Sequence, residues 1–165
     1  MRTLTFLITF ILIPLELSAK VIDQSSNGFT IQIERIVSVD STRAYQQFLN
    51  VSQWWNDDHT YFGKSENLSI DATAGGCFCE IDGEKQVLHM TVSYVEPNKK
   101  LHMIGGLGPL QMMGVSGGMV WEFKTLGEDK SKIIHRYQVS GYSKDGLDKL
   151  APIVDKVQSL QVDSL

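Results

Sequence analysis

The chain's two cysteines stand one residue apart in Gly75-Gly76-Cys77-Phe78-Cys79-Glu80, with a carboxylate directly behind them. Four chemistries fit such a pair: half of a metal site, a redox couple, a strained disulfide, or two small side chains in a core. Residues two apart on a strand share a face, so Cys77, Cys79 and Ile81 fall on one side and Phe78 and Glu80 on the other. With a hairpin tip at Gly83-Glu84, Asp82 faces Lys85. Counting back without interruption then pairs Cys79 with Leu88, Phe78 with His89 and Cys77 with Met90. In that register both sulfurs share the apolar, inward face of Leu88, Met90, Val92 and Tyr94. Glu80 and His89 become diagonal neighbours on the outer face, a modest exposed ion pair. The expectation is that Cys77 and Cys79 line a pocket floor as small buried side chains. A disulfide needs Cβ atoms about 3.8 Å apart where an extended strand sets roughly 6 to 7 Å, so it requires a bulge or kink, which Gly75-Gly76 could supply. A zinc site needs further ligands on the same face, and of the four histidines only His59 and His135 could arrive there; the metal alternative is Cys77, Cys79 and His59.

Other residues could serve a ligand. Trp54-Trp55 offers a rigid aromatic surface, one ring in the core and one at a pocket mouth. His59 lies among Asn56, Asp57 and Asp58, acids that favour its cationic form and suit it to an anion contact or to capping a turn. The glycine-rich stretch from Gly105 to Gly118 carries Met112-Met113, which could adapt to an apolar ligand. It has no GKS or GKT ending, and Gln111 stands where GxGxxG needs its third glycine, so phosphate cradling is excluded. Met119, Trp121 and Phe123 alternate inward on a later strand, as does Tyr137 on the next. Met90 completes the apolar wall. The serines lack a GxSxG context. For proton-transfer chemistry the candidates are His59, Tyr61 and Tyr137.

The elements that must position these residues follow from periodicity. Phe29, Ile31, Ile33, Val37 and Val39 predict a first, half-buried strand, entered through the turn Ser25-Ser26-Asn27-Gly28. Asp40 or Ser41 caps a short helix with Ala44, Tyr45, Phe48 and Leu49 on its apolar face, and a second short helical turn carries the tryptophans. Strand signals follow at 68–72, 77–81, 87–95, 101–104, 119–125 and 133–142, punctuated at hairpin spacing, which predicts an antiparallel meander. Leu147, Leu150, Ala151, Val154, Val157 and Leu160 then predict a long helix after an Asp145 cap, kinked or restarted at Pro152. The whole reads as an α+β fold: a curved antiparallel sheet of about six or seven strands around a long C-terminal helix, with two short helices after the first strand and a cavity between sheet and helix.

The N-terminus differs. One arginine precedes an apolar run of about ten residues, too short to span a bilayer, then Pro14 and Leu17-Ser18-Ala19, so 1–19 reads as a secretory signal peptide and 20–165 as one domain, exported to a periplasm or secreted. The mature chain keeps the net charge of −4 and has no basic run beyond Lys99-Lys100. Nucleic acid is therefore not expected as a partner, nor a membrane-spanning form after cleavage. Apolar residues at 42% and charged residues at 21% are ordinary for a globular chain. No cofactor motif is present.

Trp54-Trp55 with His59-Thr60-Tyr61-Phe62-Gly63, then GGCFCE, then Gly105-Gly106-Leu107-Gly108-Pro109-Leu110-Gln111, in this order of elements, resembles an exported branch of the START-like, polyketide-cyclase-related SRPBCC superfamily. The resemblance spans 28–161 and implies the helix-grip fold. Members range from lipid carriers to cyclases, so it implies no single activity. Three functions are carried forward. The first is an exported carrier or sensor of a small hydrophobic or amphipathic molecule or lipid, held by Trp54, Trp55, His59, Tyr61, Cys77, Cys79, Met90, Met112, Met113, Met119, Trp121 and Tyr137. The second is a cyclase- or dehydratase-like enzyme in the same cavity. The third is a metal or thiol module at Cys77 and Cys79.

Overall fold

Alternating apolar residues and tight turns build one antiparallel sheet, seen in a computed structural model that describes residues 19–165. The expected signal peptide lies outside the described residues except for Ala19, which opens the first strand. The strands are β1 (Ala19–Ser25), β2 (Gly28–Val37), β3 (Leu68–Ile70), β4 (Cys77–Asp82), β5 (Lys85–Glu96), β6 (Lys100–Ile104), β7 (Ser116–Gly127) and β8 (Lys130–Ser140). Their spatial order is β1-β2-β8-β7-β6-β5-β4-β3, so the chain's early strands pair with its last one and the rest run as a meander. Three α-helices accompany them among the described residues: α1 (Ser41–Leu49), α2 (Pro109–Met112) and α3 (Ala151–Ser164).

The α+β class, the antiparallel pairing and the C-terminal helix agree with the sequence expectation; the details differ in three places. Eight strands form rather than six or seven, because 19–25, which carries little periodic signal, pairs with β2 through the Ser25-Gly28 turn. The short helix therefore follows the second strand, and the tryptophans sit after a 3-10 turn, Val51–Gln53, rather than in a second α-helix. Finally, α3 starts at Ala151, not after an Asp145 cap. Pro152 sits in its first turn, where a missing N–H costs nothing.

The core lies between one face of the sheet and the helices. Phe29, Ile31 and Ile33 of β2, Met119, Trp121 and Phe123 of β7, and Ile133, Tyr137 and Val139 of β8 are all buried. The α1 helix, capped by the Asp40 carboxylate on the N–H groups of Thr42 and Arg43, inserts Tyr45 and Phe48 against Phe123 and Trp121. The Trp54 indole donates to the Phe48 carbonyl at 3.1 Å and is wholly core. The α3 helix packs over β1 and β2, and Arg35 of β2 reaches Asp163 at 2.6 Å.

The β4–β5 hairpin contradicts the uninterrupted register. The tip pairs as expected, through Asp82 with Lys85 and up to Cys79 with Leu88, but Phe78 then pairs with Met90 and Cys77 with Thr91. His89 is the extra residue of a β-bulge, so His89 and Met90 both turn inward. A second irregularity between Val92 and Tyr94 turns Tyr94 back out. The inward face of β4 is therefore Phe78 and Glu80, both buried, while Leu88, 50% exposed, and Ile81 mark the outer one. Cys77 and Cys79 face outward with Leu88 and are joined in a disulfide, their Cα atoms 5.4 Å apart, a compression of the roughly 6.6 Å that two extended residues span. The expected pocket-floor role for both cysteines is thus overturned. So is the metal alternative, because the sulfurs bond each other on the outer face while His59 lines the inner one.

The closed loop is only three residues long, so its entropic contribution is small. Replacing both cysteines by serine is expected to lower stability by about 1.5 kcal/mol, read from urea midpoints of the oxidised protein and the variant. A larger loss would mean that the cross-link also holds the bulge.

Candidate functional site

A cavity of about 330 Å³ opens between the start of α3, the segment 55–61, His89 and a strap running from Gly105 to Val115. Each wall has a local cause. The strap leaves β6 at Gly105 and folds back on itself at Gly106, where a Cβ would sit 2.5 Å from the Val115 carbonyl oxygen, so only glycine allows the approach. The Tyr137 hydroxyl, rising from β8, accepts from Leu107 N–H at 3.0 Å and donates to the Gly105 carbonyl at 3.3 Å. Gln111 Nε2 anchors the far side on the Leu88 carbonyl at 2.6 Å. Leu107, Pro109, Leu110 and Met113 thereby form an apolar roof, and Leu150, Val154 and Val157 supply the helix side.

The polar groups are few and tightly held. Glu80, 0% exposed, accepts from the backbone N–H groups of Tyr61 at 2.9 Å and Phe62 at 2.7 Å, which fixes the 57–63 segment against the sheet. Its Oε2 also meets His89 Nε2 at 3.3 Å. The His89 ring, 4% exposed, lies between Tyr61 and Phe78. Burial lowers its pKa below the usual histidine range, and the adjoining Glu80 carboxylate opposes that shift. The neutral ring therefore keeps its proton on Nε2, toward Glu80, and Nδ1 is left a lone-pair acceptor with no partner.

His59 has the opposite arrangement. Gln161, fully buried on α3, accepts through Oε1 from Asn56 N–H at 2.9 Å, which orients its amide so that Nε2 meets His59 Nδ1 at 2.6 Å. Nδ1 is thus the acceptor and the ring proton stands on Nε2. Asp57, one of the neighbouring acids, instead caps Ser65, and those hydrogen bonds lower its pKa. Burial raises the Tyr137 phenol to about 12, against the Leu107 N–H bond.

Of the residues singled out from sequence, Trp55, His59, Tyr61, Met113 and Tyr137 stand together on this cavity. The others do not reach it. Trp54, Met90, Met119 and Trp121 are packed in the core, Met112 is 79% exposed on the strap's outer side, and the cysteines lie behind the sheet. Sequence reasoning missed Glu80 and His89 as inward residues, and also Gln158 and Gln161. The glutamines carried a signal: they continue the stripe of Ala151 and Val154 at helical spacing, polar residues in apolar positions, whereas Leu160, chosen for that stripe, is largely exposed.

No family model and no curated protein matches the chain. Solved structures do. A protein of Thermobifida fusca aligns with a TM-score of 0.60 at 12% identity over 82% of this chain and 89% of its own. CalU16 of Micromonospora echinospora aligns at 0.57 and 11% identity over 82% and 73%. DynU16, a protein from the dynemicin biosynthetic locus, aligns at 0.51 and 18% identity over 81% of this chain and 46% of its own. At these identities the likeness is one of fold: an α+β chain with an open antiparallel sheet and a C-terminal helix.

Proposed function

We infer that this is a helix-grip protein of the START-like, polyketide-cyclase-related superfamily that binds a small hydrophobic or amphipathic molecule between α3 and the sheet. The observation that carries the reading is the cavity itself. About 330 Å³ of space has an apolar roof and helix wall, with Trp55 and Tyr61 at its side and a few oriented polar groups, the composition expected of a small-molecule site. DynU16, similar in fold, comes from a biosynthetic locus. Export to a periplasm or the cell exterior belongs to the same proposal. Its supports are the N-terminal apolar run and the Cys77–Cys79 disulfide, which suits an oxidising compartment.

The test is displacement of N-phenylnaphthylamine fluorescence from the purified chain, paired with native mass spectrometry of protein isolated from cells. The expected result is saturable probe binding that Val154→Trp, which fills the cavity from the helix side, abolishes without unfolding the protein. Equal binding by that variant would refute the site. N-terminal sequencing of the exported form tests the leader, with Lys20 expected as its first residue.

A further inference from the structure

The Cys77–Cys79 bond lies behind the sheet, and the cavity does not use it. Because β4 is an inner strand, paired through its backbone with β3 and β5, the area that both cysteines keep open to solvent belongs to their side chains. Their neighbours on that face leave them uncovered. Ser69, opposite Cys79 on β3, is exposed, and Leu88 on β5 and Ile81 on β4 are half exposed, at 50% and 47%. The bond also does little for the fold, since a cross-link between residues two apart removes little entropy from the unfolded chain. By linkage, a disulfide that adds little to folding is one that folding protects little from reduction. Exposed cross-links of this kind exchange with thiols, whereas structural ones resist reduction. The chain has no third cysteine, so neither sulfur can be diverted within it.

We propose that Cys77–Cys79 is a thiol–disulfide exchange site, separate from the cavity, that takes two electrons from dithiols. Cys77 is the sulfur attacked and Cys79 the sulfur displaced. A thiolate must approach along the S–S axis, opposite the departing sulfur, and the two cysteines follow one another along β4. Beyond Cys77 lie Gly75 and Gly76, without side chains, while beyond Cys79 Ile81 stands on the same face. The substrate thiolate bonds to Cys77 Sγ, the Cys77–Cys79 bond breaks, and its electron pair leaves on Cys79 Sγ, which takes up the proton the substrate thiol released. The substrate's second thiolate then attacks its own first sulfur and expels Cys77 Sγ, which is protonated in turn. The substrate departs as a disulfide and the chain as a dithiol, so the bond itself is the oxidant. Two sources present the same thiol chemistry: a small molecule, or the cysteines of an apolar polypeptide segment that Ile81 and Leu88 would contact.

The test mixes the oxidised full chain with glutathione at pH 7 without denaturant, quenches in acid and locates adducts by mass spectrometry. Thiols are expected to appear at a rate proportional to glutathione concentration while the far-ultraviolet circular dichroism stays unchanged, with the first adduct on Cys77. A rate that levels off at that of global unfolding, or reduction only in urea, makes the bond a structural staple and overturns the proposal. An adduct on Cys79 overturns the assignment of the two roles. A synthetic apolar peptide carrying two cysteines distinguishes the sources. It is expected to leave as its disulfide, one equivalent per chain, and Leu88→Gln is expected to slow that transfer on the order of 10-fold with glutathione unaffected. Slowing of neither reaction assigns the site to small thiols, and transfer to neither overturns the activity. N-phenylnaphthylamine binding is expected to be equal before and after reduction, so the exchange site and the cavity stand or fall separately.

Discussion

Glu80→Ala is expected to destabilise the folded chain by about 3–5 kcal/mol, the range for breaking a buried, hydrogen-bonded charged group. The side chain is completely buried and serves three donors, the amides of Tyr61 and Phe62 and the His89 ring. Alanine leaves those donors dry, and each unmade buried bond costs about 1–3 kcal/mol, to which the space of the missing carboxylate adds. The effect should be spatially polarised. Segment 57–63, which carries His59 and Tyr61 into the cavity, is tied to the sheet through this carboxylate, so its amides should exchange with solvent first. Urea unfolding at neutral pH, with hydrogen exchange on the same sample, checks both statements. Asp82→Ala, two residues along the strand, is the control: its pair with Lys85 is exposed, and loss below about 1 kcal/mol is expected there. A Glu80 variant no worse than that control would mean the buried site is wet.

That same carboxylate marks the limit of what the sequence discloses. Strand existence was legible because period-two alternation runs through the core-facing parts of β2, β7 (as far as Phe123) and β8, and Phe29, Ile31, Ile33, Met119, Trp121, Phe123 and Tyr137 all point as that alternation requires. The site was less legible because β5 is not uniform. A bulge at His89 and another near Tyr94 each shift the inward parity by one residue, and alternation carried through either assigns every later side chain to the wrong face. The result was an inverted reading of β4: cysteines inward and glutamate outward, when the sulfurs cross-link behind the sheet and the acid anchors the cavity. No local signal in Val87-Leu88-His89-Met90 identifies the bulge. The bulge lies within the local β4–β5 pairing, and the hydrogen bonds that reward it come from outside the hairpin, from the Tyr61 and Phe62 amides to Glu80. The tryptophans illustrate the other limit. One ring was expected in the core and one at the pocket mouth, but only tertiary packing decides that Trp54 donates to Phe48 while Trp55 reaches the opening.

Acidification is expected to remove about 4–5 kcal/mol of stability between pH 6.5 and pH 3, through one residue, His135. Its ring is fully buried against Trp121, with centroids 4.2 Å apart, and desolvation lowers its pKa to about 3, with the Gln158 amide opposing. Neither ring nitrogen makes a hydrogen bond of good geometry, so nothing nearby compensates a charge. The sign follows from linkage. The unfolded chain takes up the proton below about pH 6.5 and the folded chain does not until about pH 3. Between those values the unfolded state binds more protons, and stability falls by about 1.4 kcal/mol per pH unit as the solution becomes more acid. Above pH 6.5 both states hold a neutral ring and His135 contributes no slope. His89, also lowered by burial, acts in the same direction. His135→Leu removes the titrating ring and its two unpartnered nitrogens, and exchanging such a group for an apolar one of similar size is close to neutral at pH 7. The expected result is a variant within about 1 kcal/mol of the parent at pH 7 that retains most of its urea midpoint at pH 4, where the parent has lost about 3 kcal/mol. Parallel curves for the two proteins across that range would mean that the core admits a charged ring, and with it water, at the heart of the sheet.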